Sequence, residues 1–237
     1  GMFTWQVGIF DTGVASTSGN DSTAKTGRIT IAPVAEDGNV VHFGVAMSQR
    51  ARAGRSESDL INPSAGISDI GGNNGLRVNL APADSDDDLL GLEALWISGP
   101  FSLQAEYFNR DIDVGTVGAM DQEVDAWYLQ GTYTLTGESR GYKKNAGVAD
   151  KIKPKGKRGA IELVLKYDSI EADTGSALTA AGSSKPEVDA ITLGANWYVN
   201  KNIKFALTYT DTSSDNVVAA GLDDSGDAIL LRTQIAF

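Results

Sequence analysis

A chain of 237 residues with 20 Lys and Arg against 31 Asp and Glu carries a formal net charge of −11, which argues against a general nucleic-acid binder. It has no cysteine, so a disulfide framework and thiolate metal sites are excluded. No apolar run approaches the ~20 residues of a transmembrane helix. A membrane protein built of strands stays open, because lipid-facing and lumen-facing residues alternate and each strand is only half apolar.

The chain opens inside a strand. Phe3, Trp5, Val7 and Ile9 alternate with Thr4, Gln6, Gly8 and Phe10, the period of two that places alternate side chains on opposite faces. No charged leader and apolar segment stand ahead of it, so the expectation is a barrel portion truncated at its N-terminus, without a signal peptide. Residues 11–25 read as a polar loop, and a second strand is predicted from Gly27 to Ala32, with Pro33 near its end. After a tight turn at Glu36–Asn39, Val41, Phe43, Val45 and Met47 alternate with His42, Gly44, Ala46, Ser48 and Arg50. Residues 51–86 are too long for an ordinary connection and read as an inward-folding or extracellular loop.

Leu90, Leu92, Ala94 and Trp96 make the next outward face, and Ser98-Gly-Pro100 a short turn. Strands then follow at Phe101–Phe108, Trp127–Leu135, Ile161–Asp168, Ile191–Val199 and Ile203–Thr210, with a tight turn at Asn200–Asn202. Residues 138–157 form a second long connection. The last strand, Gly226–Phe237, places Ile229, Leu231, Thr233, Ile235 and the terminal Phe237 on one face. About ten strands of near-equal length, with short turns alternating with long polar loops, predict an all-β fold: an antiparallel transmembrane β-barrel of the outer-membrane porin type. The tight turns and the 138–157 connection belong to the periplasmic side if the terminal Phe does. Trp96, Tyr107, Trp127, Tyr133, Tyr167, Trp197 and Tyr209 sit where interfacial aromatic girdles are expected.

Four stretches carry a family resemblance. They are Gly27-Arg-Ile-Thr-Ile-Ala-Pro33 with Val41-His-Phe-Gly44, Ser98-Gly-Pro-Phe-Ser102 with Ala105-Glu-Tyr107, the run Trp127–Arg140, and Ile152-Lys-Pro154 followed by Gly159–Glu162 and Lys166-Tyr-Asp168. In these the chain resembles the phosphate-selective porin O/P family, from its start to Phe237. The resemblance implies the last ten strands of a sixteen-stranded trimeric barrel in the bacterial outer membrane, with a pore for phosphate-type anions. The family's main constriction loop belongs to strands without a counterpart here, so its binding-site lysine is not carried over.

Anion permeation requires fixed positive charge along a wet path, strong enough to attract and weak enough to release. Eight basic residues lie between Arg140 and Arg158, namely Arg140, Lys143, Lys144, Lys151, Lys153, Lys155, Lys157 and Arg158, opposed nearby only by Glu138 and Asp150. The residues alone fit a solvated basic turn equally well; the resemblance implies a turn folded into the periplasmic mouth. Around the 51–86 loop stand Arg50, Arg52, Arg55 and Arg77, whose planar forks suit phosphate oxygens. Arg28, Lys166, Lys204 and Arg232 fall on lumen faces by alternation, where they either bind anions or simply line a wet interior. Phosphate or other small anions and outer-membrane lipid are the expected partners, with no cofactor.

An enzyme is not expected: His42 is the only histidine, nothing brings Glu106 to Glu162, and Asp84, Asp86, Asp87 and Asp88 lack the glycine and ligand spacing of a calcium loop. The alternatives to an anion-selective pore are a non-conducting β-rich porin fragment or structural protein, and a non-selective general porin.

Overall fold

The computed structural model describes residues 2–11, 23–52, 58–61, 76–79, 85–114, 121–173, 185, 187–215 and 224–236. Ten long strands form one antiparallel meander: β1 (Phe3–Asp11), β2 (Thr23–Glu36), β3 (Asn39–Arg52), β6 (Ser85–Ser98), β7 (Phe101–Val114), β8 (Gln122–Thr134), β11 (Ala160–Asp173), β12 (Glu187–Tyr198), β13 (Ile203–Asp215) and β14 (Asp224–Ile235), each paired with the next. Two short hairpins interrupt the meander, β4 (Ser58–Ile61) with β5 (Leu76–Asn79), and β9 (Arg140–Lys143) with β10 (Val148–Ile152). Among the described residues β1 and β14 each pair on one side only, so the ten strands do not close on themselves.

The alternation read from the sequence is the alternation of the sheet. On the outer face Met47 is 66% exposed, Leu165 56% and Leu231 71%. The inner face buries polar side chains instead: Thr30, His42, Ser102, Thr134, Glu162 and Asp168. A water-soluble domain sorts its residues the other way and seldom leaves so broad an apolar surface uncovered. Barrel strands in lipid require this inversion. Much of the inner face is satisfied internally, as in the hydroxyl pairs Ser102–Thr132 at 2.7 Å and Thr192–Thr210 at 2.9 Å, while Ser48 Oγ and Gln122 Oε1 are buried without a partner among the described residues.

Aromatic side chains form two rows on the outer face. Trp96 packs on Phe101 and Trp197 on Phe205, with Tyr133 in the same row, at the short-turn end. Trp127 meets Tyr167 with ring centroids 5.1 Å apart, in the second row with Tyr107 and Tyr209. Tyr133 and Trp127 are separated by about 20 Å of strand at ~3.4 Å per residue.

Three sequence expectations need correction. The second strand begins at Thr23 rather than Gly27 and runs through Pro33 to Glu36, because a register shift between Ile31 and Val34 takes up the missing N–H. The 51–86 stretch is not irregular throughout: β3 reaches Arg52, β6 starts at Ser85, and β4–β5 pair between them. The rest of that stretch lies outside the described residues. The 138–157 connection is not a plain turn, since it holds the β9–β10 hairpin.

Candidate functional site

The β9–β10 hairpin lies against the inner face of the sheet. Its own turn is short: Ala146 and Gly147 N–H donate to the Lys143 carbonyl at 3.1 and 2.9 Å. Tyr142 and Ala149 pack on an apolar patch of the inner face made by Val40, Leu95 and Ile97, and Ile152 is buried. The two strands are too short and too polar to hold together alone, so docking on the sheet is what orders them.

Three sets of bonds fix the hairpin. At its foot, Glu138 is buried and accepts from the Thr136 hydroxyl and from the Lys155 backbone N–H at 3.0 Å. Burial by itself raises the Glu138 carboxyl, but these hydrogen bonds outweigh it and hold the group below its ordinary value near 4.5. Arg140 then pairs with Glu162 of β11, which is fully buried and also accepts from Asn196 at 3.0 Å and Tyr198 at 2.8 Å. Lys204 Nζ lies 5.0 Å from the Tyr198 ring centroid. In the middle, the Tyr142 hydroxyl and His42 Nδ1 are 2.8 Å apart, and His42 Nε2 is 3.4 Å from Glu93.

At the tip, Arg28 of β2 donates Nη1–H to the Ala146 carbonyl at 3.0 Å, Nη2–H to the Gly147 carbonyl at 2.8 Å, and Nε–H to Glu93 at 2.9 Å. Gly147 has φ +60, and a Cβ there would lie 2.4 Å from Thr30 Oγ1 and 2.9 Å from Thr4 Oγ1, so this position admits only glycine. The foot therefore rests on β11–β12 and the tip on β1–β3, separated in the strand order by β6, β7 and β8. One hairpin reaches both because the sheet is curled, and it crosses the concave side.

The predicted site residues divide into four groups. Lys151, Lys153, Lys155 and Lys157 are exposed along the hairpin and its return; Lys151 donates to the Lys201 carbonyl at 3.3 Å. Arg28 and Lys166 are engaged: Arg28 as above, Lys166 with Asp168 and, at 4.5 Å, the Tyr128 ring. Arg50 is exposed and shares a recess with Gln6, Arg28 and Phe108, and Arg232 is exposed on β14 opposite Ala206. Arg52 pairs with Ser85 and Arg77 with Leu60 along their ladders, but their side chains, like the whole of Arg55, lie outside the described residues.

One cation escaped the sequence reading, and another was read without its partners. Arg110 forms a two-pronged pair with buried Asp87, both bonds 2.8 Å, and it sits two residues past the predicted end of its strand. Continuing the alternation from Glu106 would have found it. Lys204, assigned to the lumen by alternation, belongs with Arg140 and Glu162, a grouping that nothing in the sequence signals. Among the described residues no three His, Cys, Asp or Glu side chains come together to hold a metal ion.

A family model described as phosphate-selective porin O and P matches residues 1–237. Porin O of Pseudomonas aeruginosa is 36% identical over 230 residues, covering 89% of this chain and 52% of that protein, so the chain spans about half the length of the curated relative it matches. Among solved structures, a loop L8 deletion mutant of OmpT, an outer membrane protein of Vibrio cholerae, aligns with a TM-score of 0.50 at 11% identity, covering 99% of this chain and 76% of that one. In-vitro folded OmpT aligns at 0.49 and 12% identity, covering 96% and 60%. The deletion mutant's likeness bears on the fold alone.

Proposed function

The chain belongs to the phosphate-selective porin O and P family, and from that premise we propose that it forms part of an outer-membrane pore through which phosphate-type anions diffuse passively. One observation carries the reading beyond family membership. A hairpin bearing Lys143, Lys144 and Lys151 is held on the wet, concave face of a sheet whose convex face is apolar, and the segment that returns from it to β11 bears Lys153, Lys155, Lys157 and Arg158. Fixed cations in such a confined aqueous space focus the field and concentrate anions. The short-turn end that carries them faces the periplasm, the loop end faces outward, and the completed barrel is a homotrimer. Arg50, Arg52, Arg55 and Arg77 supply guanidinium forks further along the path, with Arg232 and Lys166 beside it. Nothing in this role calls for a catalyst.

The second reading, a non-selective pore, has its own support. Four inner-face cations are neutralised in place, in the pairs Arg28–Glu93, Arg110–Asp87, Arg140–Glu162 and Lys166–Asp168. Selectivity then depends on the lysines of the hairpin and its return other than Lys143, which pairs with Asp150 at 3.3 Å. Reversal potentials in planar bilayers separate the readings, with phosphate titrated at low chloride. Replacing Lys151, Lys153, Lys155 and Lys157 together by Glu should reverse or abolish anion preference. Unchanged selectivity would take the hairpin out of the filter, and a failure of the unaltered protein to insert would leave the non-conducting reading standing.

A further inference from the structure

We infer that Arg28 is a positioning residue, the latch that holds the basic hairpin across the lumen and so sets both bore and anion preference, rather than an anion ligand itself. The consequence for permeation rests on the pore reading above; the latch itself rests on geometry. An anion-binding guanidinium needs free N–H groups turned toward the path. All three nitrogens of Arg28 are engaged: Nε–H donates to Glu93 at 2.9 Å, Nη1–H to the Ala146 carbonyl and Nη2–H to the Gly147 carbonyl, and Nη2 also lies 2.6 Å from the Glu93 carboxylate as an ion pair. The carboxylate that orients it is steadied in turn by His42, whose other nitrogen meets Tyr142 on the hairpin. Strand, carboxylate, imidazole and hairpin thus form one closed circuit of hydrogen bonds around the tip.

The seat beneath the tip is also shaped for it. Thr4 and Thr30 are hydrogen-bonded at 2.6 Å on β1 and β2, and Gly147 lies directly on them with no room for a side chain. The foot is anchored separately, through Glu138 and Arg140. A hairpin fixed at both ends is a strut, whereas one fixed only at the foot is a flap. Each hydrogen bond to a charged group shifts the docked-to-released ratio by roughly tenfold or more, so the tip bonds decide between the two.

The test uses a nitroxide on Lys144→Cys, at the exposed tip, in a protein with no cysteine of its own. In lipid the label should be immobilised in the otherwise unaltered protein and mobile in Arg28→Gln. Arg28→Lys is the sharper variant, since it keeps the charge but cannot reach Glu93 and two carbonyls at once. If Arg28 is a latch, the lysine variant frees the label, raises unitary conductance and lowers the anion-to-cation permeability ratio severalfold. If Arg28 serves permeation by charge alone, the lysine variant keeps conductance, selectivity and label as they were, and the inference is overturned. Gly147→Val, which fills the seat without touching any charge, should reproduce the latch phenotype and covers the case in which the Arg28 variants fail to fold. A freed label with unchanged conductance and selectivity also overturns the inference. A freed label in a protein that does not conduct even unaltered rejects the pore reading and leaves the latch intact.

Discussion

At the short-turn end of the sheet the connection between β8 and β11 carries eight cations, and its hairpin lies on the inner face. At the other end the strands turn carboxylates outward, beyond the second aromatic row, with Asp111, Asp113, Glu123, Asp125, Asp211 and Asp227 among them. The formal charge of −11 therefore hides two populations that differ in face and in end. In the proposed pore the acidic one meets the surface of the membrane, and the basic one meets whatever passes along the concave side. The distinction matters because Coulomb interactions at 0.15 M salt are screened beyond roughly 8 Å. An anion on the concave side thus responds to the nearby lysines and hardly at all to the rim. Net charge carries no information about which ion such a pore prefers.

The comparison breaks most violently at Glu162. This carboxylate is fully buried under Arg140, Asn196 and Tyr198 and ties the hairpin foot to the sheet. Removing one partner of a buried pair costs about 3–5 kcal/mol. Because Arg140 retains some access to solvent, Glu162→Leu should fall near the lower end, read as a lowered midpoint in equilibrium unfolding from lipid. Replacing an outward rim carboxylate such as Asp113 by Asn should leave the midpoint where it is.

Next in size is the apolar band that separates the two ends. Leu165 of β11 and Leu193 of β12 face each other across the ladder on the outer face, both more than half exposed. An arginine at the bilayer midplane costs ~2–4 kcal/mol. Leu165→Arg should show that loss in lipid, and a loss in proportion to depth when the scan is carried toward Ile161. A flat profile would mean that this face does not meet hydrocarbon.

The ten strands were legible because their signal is local. Phe43, Val45 and Met47 announce a face without reference to any other residue, and the strand read at Phe101–Phe108 needed nothing else to be found, although its continuation to Val114 went unread. The site was legible only in its charges. Arg140 to Arg158 stands out as a basic excess in any window, but Gly141-Tyr-Lys-Lys-Asn145 has no apolar alternation to declare a strand. The hairpin exists because Tyr142 finds His42 and Gly147 finds Thr30, partners a hundred or more residues away. For the same reason alternation placed Arg28 on the inner face correctly and said nothing of its partners. Glu93 and the two tip carbonyls come from separate parts of the chain, brought together only by curvature of the sheet.

A smaller effect is expected from acid at the hairpin foot. The Glu138 carboxyl is held below its ordinary value by Thr136 and the Lys155 N–H, against the opposing effect of burial. A depressed folded-state value means that the stabilisation is complete above the unfolded value and is lost as pH falls through the folded one. The foot should therefore stay closed at neutral pH and loosen only below the ordinary carboxylate range near 4.5. A spin label at Lys155→Cys should gain mobility over that window, and Glu138→Gln should show the same mobility at every pH.

The mildest test lies on the acidic side. Tyr167 donates to Asp189 at 2.7 Å on the outer face, in the second aromatic row. Such a bond contributes a net ~0.5–1.5 kcal/mol, and Tyr167→Phe keeps the ring against Trp127 while removing it. Unfolding from lipid should register that small loss, whereas reversal potential and phosphate block should not move. If they do move, the outward rim is coupled to permeation and the separation between the two charged populations is weaker than their geometry implies. If only stability changes, the rim serves the membrane and the hairpin serves the anion.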